Sequence, residues 1–267
     1  MPDSAVTTSA PAVRSGAPSP ARVGLWTGFR TMLRWSLASI GAMLPLIVII
    51  QAALAAGIII GFGFLIPAID PASALFLSSG APTVLLLTVG LVIAPQGVSR
   101  ARATGAFDYQ RALPVARPLL LIVDLVVWAL IALPGVAVAL VVAWWRYDVD
   151  FSFDWPLLAI VSLLVTTMGT AVGYSIAVSF PPMLAQLISQ VLVFFVLLFS
   201  PITFSEEQLP AWFRMVHDLL PIRAAADLMR AGIASEAFAS NARDLCVLLL
   251  WTVLGLLVTT RALMRRR

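Results

Sequence analysis

Few residues in this 267-residue sequence are of types that do chemistry, and their surroundings decide how much is open to them. His217 stands beside Asp218, the order of an acid/base pair. Such a pair works only within hydrogen-bond reach of a reacting group. No nucleophile or metal set accompanies it, so the pair reads as interfacial. His217 is the one histidine and Cys246 the one cysteine, which excludes a multi-histidine metal site and an internal disulfide. All 17 basic residues are arginines and lysine is absent. A phosphate-binding loop of the G-x-x-x-x-G-K-[ST] kind needs a lysine to reach the β- and γ-phosphates. Any ATP hydrolysis linked to this chain must therefore reside on a separate polypeptide. Neither H-E-x-x-H nor G-x-S-x-G occurs; the chain reads as a non-enzyme without catalytic, cofactor-binding or metal-ligating residues.

The remaining polar candidates lie inside apolar runs, where an ionised carboxylate costs about 2.5–3.5 kcal/mol at the bilayer centre. Asp124 is two turns into one such run and seven residues after Arg117. It is expected to form an ion pair with Arg117, with a role in coupling or in substrate contact as alternatives. Gln186 and Gln190, with Ser189 between them, make a polar patch one turn long. Hydrogen bonds between helices are its plainer reading, and a polar pathway for substrate the sharper one. Gln51 and Tyr174 are isolated and are assigned no role.

The elements that must hold these residues follow from composition. With 61% apolar and 11% charged residues and a mean hydropathy of +1.00, the chain lies far from the roughly 25% charged composition of soluble domains. Its net charge of +4 does not point to nucleic acid, because the arginines sit at the ends of apolar runs, among lipid headgroups. About 20 apolar residues cross a bilayer. Six stretches qualify or nearly so, at about 37–64, 80–98, 119–145, 156–179, 184–204 and 243–262. Prolines within them, such as Pro45, Pro95 and Pro134, are tolerated where neighbours satisfy the freed carbonyls.

Arginine placement sets the orientation. With a cytoplasmic amino terminus, twelve of the 17 arginines fall inside and five outside. The expectation is a multi-pass protein of the plasma membrane with both termini cytoplasmic. Trp144, Trp145 and Trp155 flank an outer loop, as an aromatic belt would.

Three further stretches stand out. Residues 1–22 are rich in Ala, Pro, Ser and Thr and are expected to be a disordered tail, leaving 23–267 as the membrane domain. From Gly24 to Ser36, Leu25, Phe29, Met32 and Leu33 recur at helical spacing beside Arg30 and Arg34, which fits an amphipathic interfacial helix. Between the fifth and sixth spans, LPAWFRMVHDLL and IRAAADLMRAGI flank Pro221. Each is amphipathic and too short to cross, so two short re-entrant helices are expected there. Ala53/Gly57/Gly61 and Gly169/Gly173 are small-residue seams for helix packing.

Ser99 to Pro118 is the substantial polar interruption between two membrane-length runs. It opens with Arg100 and Arg102, turns at Gly105, carries Asp108, Tyr109 and Arg111, and closes on Leu113-Pro114-Val115. A short helix over roughly Ala103 to Ala112 is expected, ended by Pro114, which disfavours helix at the residue before it.

Two motifs in these stretches resemble a known family. The first is Arg102-Ala103-Thr104-Gly105-Ala106-Phe107-Asp108 followed by Leu113-Pro114-Val115-Ala116-Arg117. The second is Ser200-Pro201, Leu209-Pro210-Ala211-Trp212, Leu220-Pro221 and Asp227-Leu228-Met229-Arg230. Both are similar to motifs of the ABC-2 type transporter permeases, in particular the branch of daunorubicin-type drug and lipid exporters. Ala101 and Ala103 stand where that family usually has acidic residues, Asp124 where it often has lysine, and Leu220 where it usually has asparagine.

The resemblance implies an all-α integral membrane fold of six transmembrane helices. It adds an amino-terminal amphipathic helix, a cytoplasmic coupling helix between spans 2 and 3, and re-entrant helices between spans 5 and 6. It implies a second permease subunit, identical or paralogous, and an ABC ATPase subunit that binds ATP and magnesium. Gly105, Asp108, Tyr109, Arg111, Leu113 and Pro114 would form the foot that contacts the ATPase. Pro210, Trp212, Pro221 and Arg230 would belong to the re-entrant segment. The implied function is ATP-driven export of a hydrophobic or amphipathic substrate, a drug-like metabolite or lipid. Export of a glycan or lipid-linked polysaccharide, a membrane enzyme or its anchor, and a non-transporting scaffold or sensor are the alternatives.

Overall fold

Long apolar runs without charge leave a backbone in lipid no choice but to satisfy itself within a helix, and the chain does so throughout. The computed structural model describes residues 24–65, 69–106, 109, 117–202 and 210–264. The expected tail at 1–22 lies outside them. Among the described residues six helices are long and apolar enough to cross a membrane.

The first helix, α1 (Leu25–Gly41), ends at a turn over Ala42 and Met43, and α2 (Leu44–Ala56) starts with Pro45 in its first turn. The first span therefore begins at Leu44 rather than at 37, because Pro45, without an amide hydrogen, suits a helix start. A π turn, Gly57–Gly61, joins α2 to α3 (Phe62–Leu65).

The second span runs through α4 (Pro71–Thr88), a π turn at Val89–Ile93 and α5 (Ala94–Ala103). It is 33 residues long, against the 19 expected. The helix begins well before residue 80, and Ser78-Ser79-Gly80-Ala81-Pro82 within it are all buried. Ser79 returns its hydroxyl to the Leu75 carbonyl at 2.7 Å. Small and hydroxylated residues serve here to let helices approach. Asp70 caps α4 by accepting the Ser73 amide at 3.3 Å, and the Ser73 side chain and amide hold its carboxyl below the usual carboxylate value.

Then follow α6 (Arg117–Tyr147), α7 (Trp155–Ser179) and α8 (Pro182–Phe199). The fifth span stops at Phe199 rather than at 204, since Ser200 is extended before Pro201. The two short helices expected around Pro221 are present as α9 (Ala211–Leu219) and α10 (Pro221–Ile233), broken at Leu220. The last span lies in α11 (Ala242–Met264).

The α4–α5 rod is the centre of the bundle. In its most apolar stretch 83% of residues are buried, against 17% in α8 and 22% in α11. On α7 the rod packs backbone on backbone. A Cβ at Gly90 would lie 2.6 Å from the Gly169 carbonyl carbon, and one at Gly173 only 2.3 Å from the Gly90 oxygen. The Gly169/Gly173 seam is thus a packing seam, seated on the π turn. The Ala53/Gly57/Gly61 seam is not one within this chain. Ala53 is exposed, and nothing lies within 4 Å of where a Cβ would stand on Gly57 or Gly61.

Candidate functional site

The foot begins where α5 ends. After Ala103 the backbone turns through Thr104 and Gly105, and Gly105 has φ +77°, a left-handed value that glycine adopts without penalty. Helical backbone resumes at Ala106, and the Tyr109 amide donates to the Gly105 carbonyl at 3.1 Å. The short helix therefore starts after Gly105 rather than at Ala103. Tyr109 is 66% exposed, an aromatic ring standing off the apolar helices. Asp108, Arg111, Leu113 and Pro114 lie outside the described residues.

Both strands of chain that lead to the foot are bonded to α7. On the way in, Arg102 of α5 donates to the Phe180 carbonyl at 2.7 Å and also to the Ala177 carbonyl. These carbonyls close the carboxyl end of α7, where the last groups lack helical partners and a cation is favoured. On the way out, the Tyr174 hydroxyl bonds to the Asp124 carboxyl of α6. Asp124 thus has a partner on α7; the side chain of Arg117, its expected partner, lies outside the described residues. Around these bonds Val98, Leu121, Tyr174 and Ala177 form a small apolar cluster of their own. A depth argument could have paired the two groups in advance. Asp124 is seven residues after Arg117 and Tyr174 six before Phe180, so at about 1.5 Å per residue both lie roughly 10 Å from the same end.

Gln51 also has a use. It is buried and donates to the Ile131 carbonyl at 3.0 Å, one turn before Pro134. Tyr147 does the same for the first π turn, donating to the Ile59 carbonyl at 2.8 Å. Gln186 and Gln190, by contrast, are exposed on α8 while Ser189 is buried. Among the described residues neither is seen bonded to another helix, where interhelical hydrogen bonds were expected. They share a face with exposed Met183, Leu187, Val191 and Phe194.

At the opposite end, α10 is buried on nearly every side, not laid along an interface. Of its thirteen residues only Arg223 and Asp227 are partly exposed. Arg230 is 1% exposed. It donates to the Pro201 carbonyl at 3.3 Å, to the Ile202 carbonyl and to Asp227 at 2.8 Å, and its guanidinium lies 3.7 Å from the centre of the Phe76 ring. One side chain thus ties α10 to the end of α8 and to α4. Planar, forked donors suit that task. Pro210 and Trp212, at the start of α9, are exposed. Pro221 starts α10 and is buried.

His217 is buried rather than interfacial, with Nδ1 3.1 Å from the Phe213 carbonyl and its ring among Phe195 and Phe213. Its neighbour Asp218 pairs with Arg223 and lies 3.9 Å from Arg243. The two do not form an acid/base pair. Among the described residues no group of three or more His, Cys, Asp or Glu could hold a metal ion.

The arrangement is mechanical in kind, a polar turn braced against helix ends. The family model described as ABC-2 type transporter matches residues 26–234, from α1 to the end of α10. No curated protein matches the sequence.

Proposed function

Because the chain belongs to the ABC-2 type transporter family, and is therefore a permease component of an ABC transporter rather than an enzyme, we propose that it exports a hydrophobic or amphipathic molecule. It does so in the cytoplasmic membrane, with both termini inside, as one of a pair of permease subunits driven by a separate ABC ATPase. The foot from Gly105 to Pro114 meets the ATPase. Nucleotide-driven movement there tilts α5 and α6, which enter and leave it.

The observation that carries this reading is the foot itself. The turn at Gly105 projects an exposed Tyr109 away from the apolar helices, and exposed aromatic rings are the residues that anchor protein interfaces. An apolar cargo is supported by the spans. Sites for small ions inside membranes use several ionisable groups, whereas among the described residues between the helix ends Asp124 stands apart from other carboxylates. The exposed α8 face with Gln186 and Gln190, and the open seam of α2, are the surfaces on which a second permease subunit rests.

The test is co-purification from membranes. A soluble ABC ATPase is expected near one-to-one with the chain, and Tyr109→Ala combined with Asp108→Arg is expected to lower its recovery about tenfold or more, as loss of an interface anchor does. Recovery of an ATPase unaffected by these changes would remove the foot from the interface. Recovery of none would leave a scaffold or sensor as the better reading.

A further inference from the structure

The helices that enter and leave the foot are each bonded to one helix, α7, and that helix turns into the next through a stiff corner. Arg102 closes the carboxyl end of α7 through Ala177 and Phe180. Tyr174, three residues before Ala177, holds Asp124 of α6. Between Ser179 and α8 stand only Phe180 and Pro181, and α8 opens on Pro182. Proline fixes φ, and the Ala185 amide returns to the Pro181 carbonyl at 2.9 Å. The corner therefore has little freedom to absorb a displacement of α7. Beyond it lies α8, whose outward face is the least buried of the six spans and carries Gln186 and Gln190.

We propose that Arg102 is a positioning residue that clamps the foot to the α7–α8 elbow, so that movement of the foot is delivered to α8 as well as to α5 and α6. The inference rests on the foot being the ATPase contact, as proposed above. Its physical basis is the choice of acceptors. The Ala177 carbonyl is oriented by α7 and the Phe180 carbonyl by the extended corner after it, so a guanidinium that donates to both holds helix and corner together. Tyr174 and Asp124 repeat the attachment from the returning strand, about one turn deeper. With both strands held, the foot and α7 move as one body, and the two prolines pass that movement to α8.

The experiment uses the chain with its co-purified ATPase in nanodiscs, in a Cys246→Ser background. Met183→Cys, exposed at the start of α8, reports through its rate of reaction with a maleimide. The rate is measured without nucleotide and after trapping with ATP, magnesium and vanadate. With Arg102 intact, trapping is expected to change the rate about fivefold or more, the lower end of ordinary coupling between sites. Arg102→Ala is expected to abolish that change while the ATPase still co-purifies and still hydrolyses ATP. Arg102→Lys, which keeps a cation but not the planar, pre-organised guanidinium, retains part of it, and Tyr174→Phe reduces it with an unaltered elution profile. These gentler variants decide the matter if Arg102→Ala fails to assemble. An undiminished response in Arg102→Lys with Tyr174→Phe, or no response with Arg102 intact, overturns the clamp while leaving the ATPase contact standing. Failure of any ATPase to co-purify overturns the proposed function, and the clamp with it.

Discussion

At the residue scale, the buried side chains of Gln51, Arg230 and Thr259 each donate to a backbone carbonyl of another segment. Arg230 is the strongest case, because its removal strips Asp227, Pro201 and Ile202 of a donor at once. Arg230→Met is expected to cost about 2–4 kcal/mol, read as a midpoint of thermal unfolding lowered by roughly 5–15 °C in detergent. Arg230→Lys does not restore it, since a point charge cannot reach all three acceptors. Gln51→Leu loses one bond to Ile131 and is expected to cost about 0.6–1.7 kcal/mol, the range of single polar contacts between membrane helices. Asp70 acts through its charge. Its folded value is lowered, so its contribution is present above the usual carboxylate value and is lost as pH falls through the folded one. Protection of the Ser73 amide, corrected for intrinsic exchange, should therefore decline on acidification, and Asp70→Asn should remove that pH dependence.

At the scale of elements, the six spans, a helix before the first of them and the break at Pro221 were legible in the sequence, because membrane length and proline chemistry act locally. What was not legible depends on neighbours. The start of α4 before residue 80, with Ser78 and Ser79, fell outside the expected span and is buried only through its neighbours. The α10 pattern of Arg223, Asp227 and Arg230 reads as a wet face, yet Arg230 is turned inward onto Phe76 and two carbonyls. Two similar glycine seams part company for the same reason. Gly169 and Gly173 meet Gly90, whereas Gly57 and Gly61 meet nothing among the described residues. Gly173→Val is accordingly expected to prevent assembly of α7 on the π turn, with most of the folded yield lost. Gly57→Val should leave the isolated chain's stability unchanged and act only on association with another subunit. Size-exclusion profiles of the two variants separate these outcomes.

The whole molecule combines a well-buried central rod with helices whose outer faces are apolar and open. Such an arrangement suits a subunit that is completed by lipid and by another permease, and that receives work at one polar turn. Site residues were the least legible part of it. The foot was visible as a composition break, but Arg102, Tyr174 and Gln51 gain their roles only through partners more than 70 residues away or on another helix. The account depends on the side of the membrane that the foot occupies and on what meets it there. Tyr109→Cys in a Cys246→Ser background, challenged with a membrane-impermeant maleimide in vesicles of both orientations, addresses both. Labelling is expected in inside-out vesicles alone, and it should be suppressed when the ATPase is present. Labelling in right-side-out vesicles, or labelling indifferent to the ATPase, would contradict the account.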